Sequence, residues 1–182
     1  MSATKRTVLS ALFIAIEIIL PLAFHSIPNA GGVFLPMHIP VLLCGLICGF
    51  PYGLICGIVS PLLSSLTTGM PPAAMLPSMV CDLAVYGAVS AVLLRYVRTR
   101  HGLVNLYIAL VGAMVAGRLV GGVLNALVFR AGSYSMQLWL AASLFTALPG
   151  IVIQIILIPA IVLALQKAKV LEPSVEGAPE LR

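Results

Sequence analysis

A chain of 182 residues that is 61% hydrophobic and 8% charged, with a mean hydropathy of +1.15, lies far outside the globular norm of about 25% charged residues. At roughly 20 apolar residues per membrane span, it holds about six helices and excludes a separate soluble domain such as an ATPase. The net charge of +5 does not indicate a nucleic-acid partner, because the basic residues flank apolar segments instead of gathering on one face.

Lys5 and Arg6 lead into an apolar run too long for a signal peptide and without a small-residue cleavage site, which predicts a retained first helix over about Thr7 to His25. The loop SIPNAGGVFLPMH follows, punctuated by Pro and Gly. A short second helix is expected over Ile39 to Phe50, with Leu35 as its earliest start, and a turn at Pro51 and Tyr52 leads into a third over Gly53 to Leu66. Pro71, Pro72 and Pro77 place the start of the fourth helix between Ala73 and Ser78, and the basic cluster RYVRTRHG ends it. The fifth is expected over Val104 to Phe129, closing at RAGSYS, and the sixth over Gln137 to Gln166 with interruptions at Pro149 and Pro159. Residues 1–168 then form one six-helix membrane domain, and 169–182 read as a disordered cytoplasmic tail. With six spans, Lys5, Arg6, Arg95, Arg98, Arg100, Lys167 and Lys169 share one side and only Arg130 takes the other, so both termini are expected in the cytoplasm.

Only seven charged residues interrupt the 160 positions from Thr7 to Gln166. Three of them, Glu17, Asp82 and Arg118, fall inside spans, where an ion is costly unless it is paired or faces a wet cavity. Arg118 lies about 21 Å up the fifth helix and Asp82 about 12 Å down the fourth from the outer side, which brings them to similar depth. Two readings are open: a buried ion pair that fixes two helices, or a guanidinium fork offered to an anionic or carbonyl-bearing ligand and oriented by Asp82. Glu17 suits either a proton-coupling role or a hydrogen bond to a neighbouring helix. His38 and Asn29 belong to the outer mouth, and Tyr86, Asn125 and Gln154 are polar groups in apolar spans that either bond to one another or line a pocket.

Glycines at four-residue spacing, Gly45 and Gly49, Gly53 and Gly57, Gly117 and Gly121, predict close helix packing. Ala11 and Ala15 share that spacing. Cys44, Cys48, Cys56 and Cys81 lie in apolar context without His or carboxylate partners at ligand spacing, so buried thiols are expected rather than a metal site. There is no HExxH, GxSxG or phosphate-binding loop, and no cofactor or catalytic residue is expected.

The layout resembles the substrate-binding (S) components of energy-coupling factor (ECF) vitamin transporters, and FLPMHIPVLLCGLICGFPYGLICGIVSPLLSSL is similar to their outer loop, second helix, cytoplasmic turn and third helix. The resemblance covers roughly residues 5 to 168. It implies an all-α membrane bundle in a prokaryotic plasma membrane, binding one micronutrient near the outer face and working with a coupling membrane subunit and two ATPase subunits. The pocket residues it points to are Asn29, His38, Asp82, Tyr86, Arg118, Asn125 and Gln154, and the contact with the coupling subunit would map onto Ala11 and Ala15. PMHIPVLLCG looks most like pantothenate members, with cobalamin members next. The competing class is a stand-alone proton- or ion-coupled carrier using Glu17 and Asp82, against which stands the lack of a visible internal repeat.

Overall fold

Helix α1 spans Ala3–Ala23 and starts before Thr7 because the Ser2 side chain caps it, accepting the Lys5 N–H at 3.3 Å. Its buried stripe is Ser10, Phe13, Glu17 and Pro21, while Ala11 and Ala15 lie on the exposed face. The computed structural model describes residues 1–24, 26–129, 135, 137, 139, 141–168, 170 and 171, and every element among these described residues is helical. The expected end of the first helix at His25, residues 130–134 of the RAGSYS turn, Lys169 and the tail beyond Leu171 lie outside the described residues.

The loop after α1 carries a short helix that the sequence did not suggest, α2 (Ala30–Phe34), flanked by Asn29 and Leu35 in left-handed backbone conformation at φ 58 and 51. Helix α3 (His38–Cys48) follows, and the stretch Ala30–Cys48 together is long and apolar enough to span. Gly49 ends α3 at φ 79, a conformation that favours glycine, so it serves as a cap and does not join Gly45 as a packing surface. Helix α4 (Tyr52–Thr68) ends at Gly69, φ 74. Helix α5 (Leu76–Tyr96) begins with a proline in its first turn, as expected. Helix α6 (Gly102–Leu124) continues into a π-helical turn over Asn125–Phe129. A second π-helical turn, Ala141–Thr146, precedes α7 (Leu148–Lys167), where Pro149 opens the helix instead of interrupting it and Pro159 lies inside.

Among the described residues five stretches are long and apolar enough to cross a membrane: Ala3–Ala23, Ala30–Cys48, Leu76–Tyr96, Gly102–Val128 and Leu148–Lys167. Helix α4, with 17 residues, is the shorter sixth apolar helix. The two ends of the bundle's chain meet, since Lys5 Nζ donates to the Val170 carbonyl beyond α7.

Helices α3, α4 and α5 pack backbone on backbone. A β-carbon at Gly87 would collide with the Gly53 carbonyl, one at Gly45 or Gly53 with the Gly87 carbonyl, and one at Gly57 with the Leu83 carbonyl. Around this seam Val41, Leu42, Cys44, Cys56 and Leu83 are fully buried. Lipid offers no hydrophobic drive to helix association, so dispersion contacts of this kind carry it. Replacing Gly87 by Val should therefore destabilise the bundle by about 1–3 kcal/mol through overpacking, seen as a lower thermal midpoint in detergent. Gly31→Ala, whose methyl would meet nothing within 4 Å, should shift that midpoint little.

Candidate functional site

Four of the residues that the sequence singled out come together between α3, α5 and α6. Asp82 and Tyr86 stand one turn apart on α5, and α6 answers with Gly121 and Gly117 at the same spacing in the opposite direction. A side chain at Gly121 would strike the Asp82 carboxylate and one at Gly117 the Tyr86 ring. One turn further along α6, Asn125 Nδ2 donates to Ser78 Oγ at 2.6 Å and to the Gly121 carbonyl at 2.8 Å. Ser78, Asp82 and Tyr86 on α5 thus face Asn125, Gly121 and Gly117 on α6 as three successive rungs of an antiparallel pair. The glycine spacing is a packing device, as expected, but it makes room for polar side chains and not for backbone.

The His38 ring, at the start of α3, meets the Tyr86 ring in a T-shaped contact, 4.9 Å between centroids and 85° between planes. Both side chains are buried. The Arg118 guanidinium, beside Gly117 on α6, acts electrostatically on His38, Asp82 and Tyr86 alike. The cluster therefore combines one cation, one carboxylate, an imidazole and a phenol inside a largely apolar bundle.

Several buried polar atoms, in this cluster and on α7, have no hydrogen-bond partner among the described residues. His38 Nδ1 and Asp82 Oδ1 are buried without a hydrogen bond, and so are both Nε2 and Oε1 of Gln154. Gln154 is 0% exposed and shares the buried face of α7 with Gly150, Ile158 and Val162, a face that packs on α3 and α6. An orphaned buried polar atom costs about 1–3 kcal/mol, so a group of them is expensive unless a ligand or water satisfies them.

Asn29 is not gathered into the cluster. It is exposed at the start of α2, with its backbone carbonyl accepting the N–H groups of Gly32 and Val33. The loop itself is tied down: Gly150 of α7 lies so close to the carbonyls of Val33 and Phe34 that a β-carbon would stand 2.8 Å from them, and the Phe24 and Phe34 rings stack at 5.4 Å.

Sequence reasoning missed Ser78 as the partner of Asn125; the spacing 78, 82, 86 along one helix face was the available signal. It also missed Trp139, whose indole lies against Gly122 of α6. A cavity of about 360 Å³ opens elsewhere, between α1, α3 and α7, with walls such as Phe13, Leu20, Phe34, Leu43, Ile153 and Leu157. It involves a different face of α3 from His38 and offers no polar side chain to orient a water-soluble molecule, so the polar cluster is the better candidate site.

No curated protein and no solved structure matches the chain. Residues 5–162 match the family described as ECF transporter, substrate-specific component. That match spans the helices bearing the cluster, and the chain belongs to this family of substrate-specific components of ECF transporters.

Proposed function

We infer that the chain captures a water-soluble vitamin, pantothenate first and cobalamin next, at the outer face of a prokaryotic plasma membrane for ATP-driven uptake. The observation that carries this reading is the set of orphaned buried groups, His38 Nδ1 on α3, Asp82 Oδ1 on α5 and the Gln154 amide on α7, the first two of them within the field of Arg118 on α6. Their inventory describes the ligand. Asp82 accepts a hydrogen bond, the Gln154 amide both donates and accepts, and Arg118 supplies a charged fork. A small molecule with hydroxyl donors, an amide and a carboxylate, as in pantothenate, matches that set. Tyr86 is already in contact with the His38 ring and with Gly117 of α6, which leaves it a poor stacking platform for a flat aromatic vitamin. Asn125 and Ser78 close the outer rung beside the cluster, and Asn29 stands in the exposed loop above α3.

The same reading uses six spans with both termini cytoplasmic, α4 being the sixth, and a single membrane domain over residues 1–168. It is supported by the meeting of Lys5 with Val170 at one end of the bundle and by the basic residues of the α5–α6 turn. Energy would come from a coupling membrane subunit and two ATPase subunits. Support for that partner lies on α1, where Ala11 and Ala15 are exposed among Val8, Leu12 and Ile19, at 62%, 52% and 63% exposure. A face of small residues flanked by apolar ones suits close approach by a helix of another membrane protein.

Titration calorimetry of the purified protein against pantothenate, cobalamin, riboflavin, thiamine, biotin, folate and niacin identifies the ligand. Pantothenate is expected to bind, and Arg118→Ala to weaken it by about 2–5 kcal/mol because the cation is desolvated in the complex; wild-type affinity in that variant would mean that the site lies elsewhere. Ala11→Trp or Ala15→Trp should abolish uptake in cells while vitamin affinity stays near wild type, and loss of both together would argue against a partner contact on α1. In a background without native cysteines, a cysteine at Thr68 should react with an impermeant reagent from outside and one at Thr99 should not.

A further inference from the structure

Among the described residues the only side-chain carboxyls are those of Asp82 and Glu17. Asp82 has Arg118 to balance it. Glu17 is 0% exposed, both of its oxygens are buried without a hydrogen-bond partner, and the side chains that act on it are Ser60 and Cys56 of α4, neither of them a cation. An ionised carboxylate in such a place is costly unless a counter-charge accompanies it.

The donors around it narrow what that counter-charge is. Ser60 gives its one hydroxyl hydrogen to the Cys56 carbonyl at 2.6 Å. With the hydroxyl so turned, what remains toward Glu17 is a lone pair; turned the other way it donates to Glu17 and forsakes the Cys56 carbonyl. Cys56 Sγ lies 3.5 Å from the same Ser60 oxygen, so its S–H, if it donates, goes there. A carboxylate and a hydroxyl lone pair repel each other unless they share a positive charge between them. Pro21, one turn further along α1, has no N–H for the Glu17 backbone carbonyl, which leaves another oxygen on the same turn.

We propose that Glu17 and Ser60 form a buried site at the α1–α4 seam for one small monovalent cation, a proton or a sodium ion. The site has a polar approach along α4, where Ser60, Ser64 and Thr68 follow at four-residue spacing. Thr68 Oγ1 donates to the Ser64 carbonyl at 2.7 Å and stands 3.4 Å from Ser64 Oγ. Both Ser60 and Ser64 are fully buried. The titratable or charged groups on the elements packed against α1 are His38, Cys44 and Cys48 of α3 and Tyr52 and Cys56 of α4, with Lys5 and Arg6 near the start of α1 itself. Cys44 donates to Ser10 Oγ at 3.5 Å, which leaves Glu17 as the group of the seam that most needs a cation.

The proposal does not depend on which vitamin is bound, and its test uses none. The full-length protein in detergent is melted at constant ionic strength in sodium, potassium or N-methylglucamine chloride over a range of pH. A midpoint raised by sodium over N-methylglucamine identifies sodium as the occupant. A midpoint that rises as pH falls, equally in all three salts, identifies the proton. Either response should vanish in Glu17→Gln, which keeps the shape and removes the charge. In Ser60→Ala the half-effect concentration should rise about tenfold, the worth of one hydrogen bond to a charged group. A wild-type midpoint indifferent to both sodium and pH overturns the proposal, as does a response that survives in Glu17→Gln. Should Glu17→Gln not fold, an unmoved half-effect in Ser60→Ala overturns it.

Discussion

Helices in a bilayer gain nothing from hiding apolar surface, so they hold together where backbones can touch, and in this protein that place is Gly87. Its carbonyl occupies the space that a β-carbon on Gly45 or Gly53 would need, and Gly57 admits the Leu83 carbonyl one turn away. Three helices are thereby drawn into one seam. With α5 fixed by this contact, the neighbouring face that carries Ser78, Asp82 and Tyr86 has a set position, and α6 can meet it only by keeping glycine at 117 and 121. The polar cluster is thus a consequence of the apolar packing and not an addition to it.

That dependence explains which parts of the molecule are legible in the sequence. Charges and amides inside apolar runs are expensive, so Asp82, Arg118, His38, Tyr86 and Gln154 stand out from the order of residues alone, and the first four do converge. The helix limits are legible within a few residues wherever a cap or proline marks them, as at Pro77 for α5. The short α2 is not, because AGGVF has neither length nor periodicity, and what holds it is the contact of its carbonyls with Gly150, a residue of the last helix. The π-helical turn at Asn125–Phe129 is equally hidden, since nothing in NALVF distinguishes it from a continuing α-helix.

Spacing proved a weaker guide than environment. Gly45 and Gly49 share the interval of Gly53 and Gly57, yet Gly49 caps a helix while the other three pack, because only the tertiary arrangement decides which side of a helix meets a neighbour. Gly117 and Gly121 have that interval too and receive a phenol ring and a carboxylate. Ala11 and Ala15 have it and meet no part of the described chain closely enough to be buried. One motif therefore has four fates, and each is set by what stands opposite.

The two membrane-embedded carboxyls illustrate the same point in electrostatic terms. Asp82 and Glu17 are both removed from bulk water, but Asp82 lies within the field of a fixed cation on the next helix, so its balance is permanent and a ligand can be recognised by completing the remaining hydrogen bonds. Glu17 faces a hydroxyl it shares with the Cys56 carbonyl and a thiol, with no basic side chain among the described residues acting on it. A fixed counter-charge makes a binding site for a molecule; the lack of one makes a site whose counter-charge has to be mobile. Because the glycine seam of α3, α4 and α5 stands between them, the two sites have separate walls, and a change of charge at Glu17 is felt first by α1, the helix whose other face carries Ala11 and Ala15.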